Sequence, residues 1–245
     1  MKKTLCSLVA IIILMTLLGC SKKDSTNPGA EGSPEGGAPV SDTAPPVDSS
    51  LPAQLVTPKS GDTIAVFETS LGSFSAVFFA DGAPLAVENF VKHAKDGYYN
   101  KLLFHRVVSG FVIQTGDPTG TGRGGESIWG DPFANEYSPQ LHHYSGAIGM
   151  ANTAADQNGS QFYFVLGSKL SDDSLAEMKS LGFADDVCAA YKKVGGQPGL
   201  DNKYTVFGQV YEGMDIVEKI GTVKADSGDR PKKDVELISV TVKTY

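Results

Sequence analysis

A β-dominated domain, either an antiparallel sandwich or a closed barrel, is the fold that this 245-residue sequence predicts. Three observations carry the prediction. Most apolar stretches are short and rich in Val, Ile, Phe and Thr; glycine-containing turns separate them; and only two segments hold a clear helical period. Many strands with few helices point to sheet-on-sheet or barrel architectures rather than layered α/β folds. A closed barrel also leaves no sheet edge exposed.

The elements follow in order. TIAVFE (63–68) and SFSAVFF (73–79) flank a short TSLG turn and predict an opening hairpin. A helix comes next: Pro84 suits its first turn, Ala86, Phe90, Val91 and Ala94 recur at helical spacing, and Gly97 ends it. LLFHRVV (102–108) and FVIQTG (111–116) read as strands, and PTGTGRGGESIWGDP (118–132) as a glycine-rich loop. SPQLHHY (138–144) reads as a short helix with Pro139 near its start. AIGMA, SQFYFVLG and YTVFGQVY are strands, MDIVEKI (214–220) is the second clear helix, and DVELISVTVKTY closes the chain as an alternating strand. Residues 169–198 break this rhythm. Ser174 with Glu177 resembles a capping box, and Val187, Tyr191 and Val194 follow at i, i+4 and i+7, so an inserted helical excursion interrupted near Gly182 is expected.

Ahead of the domain, Lys2 and Lys3 precede an apolar run from Leu8 to Leu18 that ends in LLGC. The run is too short to span a bilayer as a helix and reads as the core of a signal peptide over residues 1–19. Leu17, Gly19 and Cys20 resemble a bacterial lipobox, which predicts lipidation of Cys20 and an extracytoplasmic, membrane-anchored protein. Two or three acyl chains anchor stably where one does not. Ser21 after the cysteine is compatible with outer-membrane sorting where a cell has two membranes. Residues 20–60 are rich in Pro, Gly and Ser without hydrophobic period and read as the lipidated cysteine followed by a disordered tether, leaving 61–245 as one domain. Of three cysteines only Cys188 then remains as a thiol, so no internal disulfide staples the fold. The net charge of −7 and the absence of a basic stripe argue against a nucleic-acid partner.

Several motifs are decoys. GTGRGG (120–125) matches a dinucleotide-binding spacing but no helix opens after it. The four histidines lack metal-ligand spacing, and adjacency points His142 and His143 apart. No metal or cofactor is expected.

The informative oddity is Arg106, one of only three arginines, inside the apolar run FHRVVSGFVIQTGD (104–117). A permanently charged guanidinium there needs hydrogen-bond partners or water. On one straight strand Arg106 and Gln114 would share a face but lie about 26 Å apart. They meet only if the chain bends at Ser109-Gly110, which also brings Phe111 beside them. Alternatively, Arg106 emerges at a barrel rim and pairs with an acid; spacing leaves both readings open.

FHRVVSGFVIQTGD, ESIWGDPF, GAIGMAN, NGSQFYF and YTVFGQVYEGMDIV, in this order, resemble the cyclophilin family of peptidyl-prolyl cis–trans isomerases from about Thr63 to Thr241, interrupted by the insert. The resemblance implies a closed eight-stranded antiparallel barrel capped by two helices, with the active site on its outer face. It makes Arg106 the catalytic arginine and Gln114 its partner on the substrate backbone. Phe111 and Val112 would wall a proline pocket, Ala151 and Asn152 would bind extended peptide, and Gln161, Tyr163, Leu200 and Tyr204 would complete the site. Four positions depart from the family pattern: Val112 stands for methionine, Tyr163 adds a hydroxyl to a common phenylalanine, Tyr204 replaces histidine, and Gly199 falls where many members carry tryptophan. The last implies weak cyclosporin binding. The implied partners are proline-containing polypeptides, unfolded or newly exported, and membrane lipid through Cys20. Two other readings remain: a non-catalytic module that holds proline segments or a partner protein, and a hollow barrel that encloses a small ligand.

Overall fold

A computed structural model describes residues 51–245. The signal peptide, Cys20 and the tether up to residue 50 lie outside the described residues. Nine strands form one antiparallel sheet: β1 Thr63–Thr69, β2 Gly72–Phe78, β3 Leu102–Leu103, β4 Arg106–Val108, β5 Val112–Thr115, β6 Ala147–Met150, β7 Phe162–Val165, β8 Val206–Glu212 and β9 Glu236–Thr244. Their order is β3-β9-β1-β2-β8-β6-β7-β5-β4.

Nine strands replace the expected eight because LLFHRVV is two strands, not one. Phe104 N–H donates to the Val235 carbonyl (2.9 Å) and Val107 N–H to the Asp229 carbonyl (2.8 Å), so the chain turns between β3 and β4. These two strands stand at opposite ends of the sheet order yet are joined by Phe104 and His105. The sheet therefore curls until a single seven-residue segment, Leu102–Val108, supplies both of its ends. Thr115 Oγ1 ties β5 to the Leu103 carbonyl across this seam (2.9 Å).

The interior is filled. Phe67, Phe74, Phe90, Phe104, Phe162, Phe164 and Phe207 are all fully buried, and their rings stack or meet edge-on, as Phe67 with Phe74 at 4.9 Å and Phe74 with Phe164 at 5.0 Å. Burying each such side chain stabilises by about 2–3 kcal/mol. A barrel packed this way does not enclose a ligand, which removes the hollow-barrel reading.

Two helices cover the barrel as predicted. Helix α1, Pro84–Lys95, buries Ala86, Phe90 and Ala94 in this core. The second predicted helix, Met214–Gly221, buries Val217 and Ile220. Ala83 gives α1 no side-chain cap, and Glu136 supplies one from a distant loop, its carboxylate accepting from Leu85 N–H (3.0 Å) and Ala86 N–H (2.9 Å). An anion at a helix N-terminus satisfies otherwise orphaned donors. Glu136→Ala is expected to lower stability by about 1–2 kcal/mol, read as a lower urea midpoint with an unchanged slope.

The excursion 169–198 contains two helices, α2 Asp172–Ser180 and α3 Asp185–Val194, interrupted around Gly182 as expected. Its cap differs from the expectation. Ser171, not Ser174, is the N-cap: its hydroxyl accepts from Ser174 N–H at 3.1 Å, which places Ser174 inside the first turn behind Asp172 and Asp173. The helix–helix pair has its own small core of Leu175, Met178, Cys188, Ala190 and Tyr191, closed against Tyr144 of the main domain.

Two further expectations are corrected. Residues 138–144 form no helix, because side chains take the backbone groups that a helix would use. His142 N–H donates to Gln54 Oε1 (2.8 Å), Gln54 Nε2 donates to the His142 carbonyl (2.8 Å), and His143 N–H donates to Asp201 Oδ1 (2.8 Å). The same Gln54 shows that residues 51–60, assigned by composition to the tether, include part of the folded domain: Gln54 is buried in a short 3-10 turn, Ala53–Leu55, and also bonds Gln209.

Candidate active site

The β4–β5 hairpin turns at Ser109-Gly110, where Gly110 takes φ +71° and Phe111 N–H closes back on the Val108 carbonyl (3.0 Å). Positive φ is where glycine carries no Cβ penalty. The turn sets Arg106 directly opposite Gln114, so the bend required by the sequence is present. The register continues across the sheet: Gln114 faces Tyr163 on β7, and Tyr163 faces Gly149 on β6. Directly paired residues share a face, so Arg106, Gln114, Tyr163 and Gly149 form one row on the outside of the barrel. Val107 and Ile113, one residue away, point into the phenylalanine core.

Beside this row lies a second apolar cluster. Val112 and Tyr163 are buried in it, with Phe111, Ala151, Leu200 and Tyr204 packed around them, all of them predicted site residues. Tyr204 meets the Tyr163 ring edge-on at 6.2 Å. Gly149 is needed beneath: a Cβ there would come to 2.5 Å from Tyr163 Cζ.

The polar half of the site is a chain of amides. Gln114 Nε2 donates to Gln161 Oε1 (2.9 Å), and Gln161 Nε2 donates to the Gly124 carbonyl (2.7 Å). They line an open cavity of about 240 Å³ with Ala151, Asn152 and the 122–127 loop. Asn152 Nδ2 is held by Asn135 and Asn158 (3.1 and 2.9 Å). The glycine-rich run is folded around Asp117, whose carboxylate accepts from the N–H groups of Thr119, Thr121, Gly122 and Arg123. Burial opposes ionisation of Asp117, but the Thr119, Gly124 and Gly122 hydrogen bonds prevail and hold its pKa at about 2.

Arg106 is 39 % exposed and does meet an acid: its Nε lies 3.5 Å from Asp229 Oδ2. Such a half-exposed pair is worth about 0–1 kcal/mol. Its main effect is to orient the guanidinium. Among the described residues no group bonds the two terminal nitrogens, which remain available as donors beside the apolar cluster. Behind it, His105 is buried with neither ring nitrogen bonded; burial lowers its pKa, and the Asp117 charge opposes this.

Sequence reasoning missed Asp229, which no motif marks. It also misjudged His142 and His143. Adjacency does not separate them here, because the segment is irregular: both Nδ1 atoms converge on Asp201, at 2.9 and 2.7 Å.

An oriented cation thus stands beside an apolar cluster on the outer face of a filled antiparallel barrel. The chain belongs to the cyclophilin-type peptidyl-prolyl cis–trans isomerase family, whose model matches residues 64–242. A protein assigned as a peptidyl-prolyl cis–trans isomerase in Staphylococcus saprophyticus is 42% identical over 190 residues, covering 77% of this chain and 96% of that one. A Staphylococcus aureus relative with the same assignment is 42% identical over 182 residues, covering 74% and 92%. The crystal structure of a Cryptosporidium parvum cyclophilin-type isomerase superposes with a TM-score of 0.61 at 26% identity, covering 75% of this chain and 99% of that chain. Another structure of that enzyme, obtained in the presence of the dipeptide Ala-Pro, gives a TM-score of 0.60.

Proposed function

We propose that the chain accelerates rotation about X–Pro bonds by hydrogen bonding from Arg106 to the prolyl nitrogen. The bond resists rotation because the nitrogen lone pair is delocalised into the carbonyl, with a barrier of about 18–20 kcal/mol. In the twisted transition state the lone pair localises on nitrogen and becomes an acceptor. A guanidinium donor aimed there stabilises the transition state more than the ground state. Phe111, Val112, Tyr163, Leu200 and Tyr204 hold the ring, and their apolar surfaces strengthen the donor by excluding water. Gln114 and Gln161 orient the backbone, while Ala151 and Asn152 receive the extended residues before the proline. The observation that carries this reading is the row Arg106–Gln114–Tyr163 across three paired strands, with uncommitted guanidinium nitrogens beside the partly exposed apolar side chains of Phe111, Leu200 and Tyr204. The Ala-Pro dipeptide used with the Cryptosporidium enzyme supports proline as the ligand class.

Exchange NMR on a short X–Pro peptide tests the proposal. Acceleration of cis-to-trans conversion by the purified protein is expected; binding shifts without acceleration would turn the reading to a non-catalytic proline-binding module.

The anchor is part of the same proposal: Cys20 carries the lipid and the domain works outside the cytoplasm on unfolded or exported chains. The lipobox-like LLGC and the Pro/Gly-rich residues that follow support it. Palmitate labelling in cells is expected to be lost in Cys20→Ala together with membrane fractionation. Retention of the label by that variant would refute the anchor.

A further inference from the structure

The hydroxyl of Tyr163 leads away from the active site and into the insert. It lies 2.9 Å from His143 Nε2. His143 is fully buried, and its Nδ1 lies 2.7 Å from Asp201 Oδ1, which also accepts the His143 backbone N–H at 2.8 Å. Asp201 Oδ2 takes His142 Nδ1 at 2.9 Å and the Tyr191 hydroxyl of α3 at 2.7 Å. Each carboxylate oxygen therefore has two partners, which saturates its accepting capacity.

The proton positions follow from this arrangement. Burial would push the Asp201 pKa up, but the His142 and His143 hydrogen bonds hold it at about 2, so the carboxylate is ionised and only accepts. His143 must then present its N–H at Nδ1. Burial holds this imidazole neutral against the pull of Asp201, which leaves a lone pair on Nε2. The Tyr163 hydroxyl is the donor to it. Its ring crosses β6 over Gly149, where any Cβ would strike it, and is thereby fixed in depth and direction. A phenylalanine at 163 would have no such tether.

We propose that His143, held by Asp201 and through it by Tyr191 of the insert, is a positioning residue that pins Tyr163, so that the insert determines which rings the proline pocket admits. This rests on the isomerase reading of the site. A buried network of this kind acts as a unit, each member fixing the next, and the only open atom on its ring members is His142 Nε2, on the side away from Tyr163 and Asp201 Oδ1.

The test compares a prolyl peptide with its ring-expanded pipecolyl analogue in the purified protein. Affinity is read by NMR titration and turnover by exchange NMR, for wild type, Tyr191→Phe, Tyr163→Phe and the double variant. Tyr191→Phe removes one hydroxyl from the far side of Asp201 and changes no atom of the pocket. It is expected to shift the pipecolyl-to-prolyl affinity ratio toward the larger ring by about threefold or more, and to leave that ratio unmoved when Tyr163 is already phenylalanine. An unchanged ratio in the single variant, or an equal shift in both backgrounds, would overturn the proposal. So would ¹⁵N spectra of the wild type showing the His143 proton on Nε2, a reading that does not depend on how well any variant folds. The affinity ratio also separates the two claims. Absence of acceleration by the wild type would refute catalysis, while the ratio would still decide the role of His143. Failure to bind either peptide would overturn both.

Discussion

Arg106→Ala is expected to lower kcat/KM for an X–Pro peptide by about 10²–10³-fold, as the loss of one preorganised transition-state donor does elsewhere. The loss falls on kcat rather than KM, because the amide nitrogen accepts no hydrogen bond while its lone pair is delocalised. Stability is expected to change little, since the pair broken is the half-exposed one with Asp229. The two readings of this arginine therefore separate cleanly. A residue that merely closes the barrel rim would cost stability and spare turnover. Arg106→Lys is informative beside it: the charge remains, but a point charge on a flexible stem replaces a planar fork, so rescue should be slight. Wild-type turnover in a folded Arg106→Ala protein would reject the mechanism.

Acidification is the second large effect. Three histidines are buried with pKa values lowered from the ordinary 6.5. Burial is the main cause in each, opposed by the Glu126 carbonyl at His93, by Asp117 at His105 and by Asp201 at His143. A lowered folded-state pKa means that the unfolded chain takes up protons first as pH falls below 6.5. Stability then declines with decreasing pH, by about 1.4 kcal/mol per pH unit for each proton taken up on unfolding, until the folded-state pKa is reached. All three groups act in the same direction, so their contributions reinforce one another as pH falls. The aspartates act in a later window, with a shift in the same direction. Asp117 and Asp201 sit at about 2 in the fold against an ordinary 3.8, so the stability they contribute is present above 3.8 and is lost as pH falls toward 2. Urea midpoints between pH 8 and 3 should show a steep fall beginning below 6.5. Replacing His105 by Gln should make that fall shallower by one proton, and a midpoint that is level from pH 7 to 5 would refute the assignment.

What could be read from the sequence follows from where each signal is stored. Strands β1, β2, β7, β8 and β9 and the helices Pro84–Lys95 and Met214–Gly221 are specified by periods within their own residues. The meeting of Arg106 and Gln114 was legible for the same reason, because Ser109-Gly110 lies between them. The misses have partners far along the chain. The break at Phe104 depends on Val235, and the loss of the 138–144 helix depends on Gln54 and Asp201. The pairing of His142 and His143 was hidden because spacing rules assume a regular backbone, which these residues do not have. The polar and apolar site residues of the barrel were placed by five motif blocks rather than by any single local pattern. Asp229 carries no such mark.

The seam at Phe104-His105 also bears on mechanical compliance. Everywhere else the wall is knitted strand to strand, and a closed wall of that kind is stiff. β4 is laddered only to β5; on its other side it leans on a loop at Asp229, through one backbone bond from Val107 and the half-exposed ion pair with Arg106. The arginine is thus mounted where the wall has the fewest strand-to-strand ties, while Gln114 and Tyr163 sit on strands paired along their length; under the proposed mechanism, that gives the guanidinium more freedom to follow a turning bond than the residues that would hold the peptide.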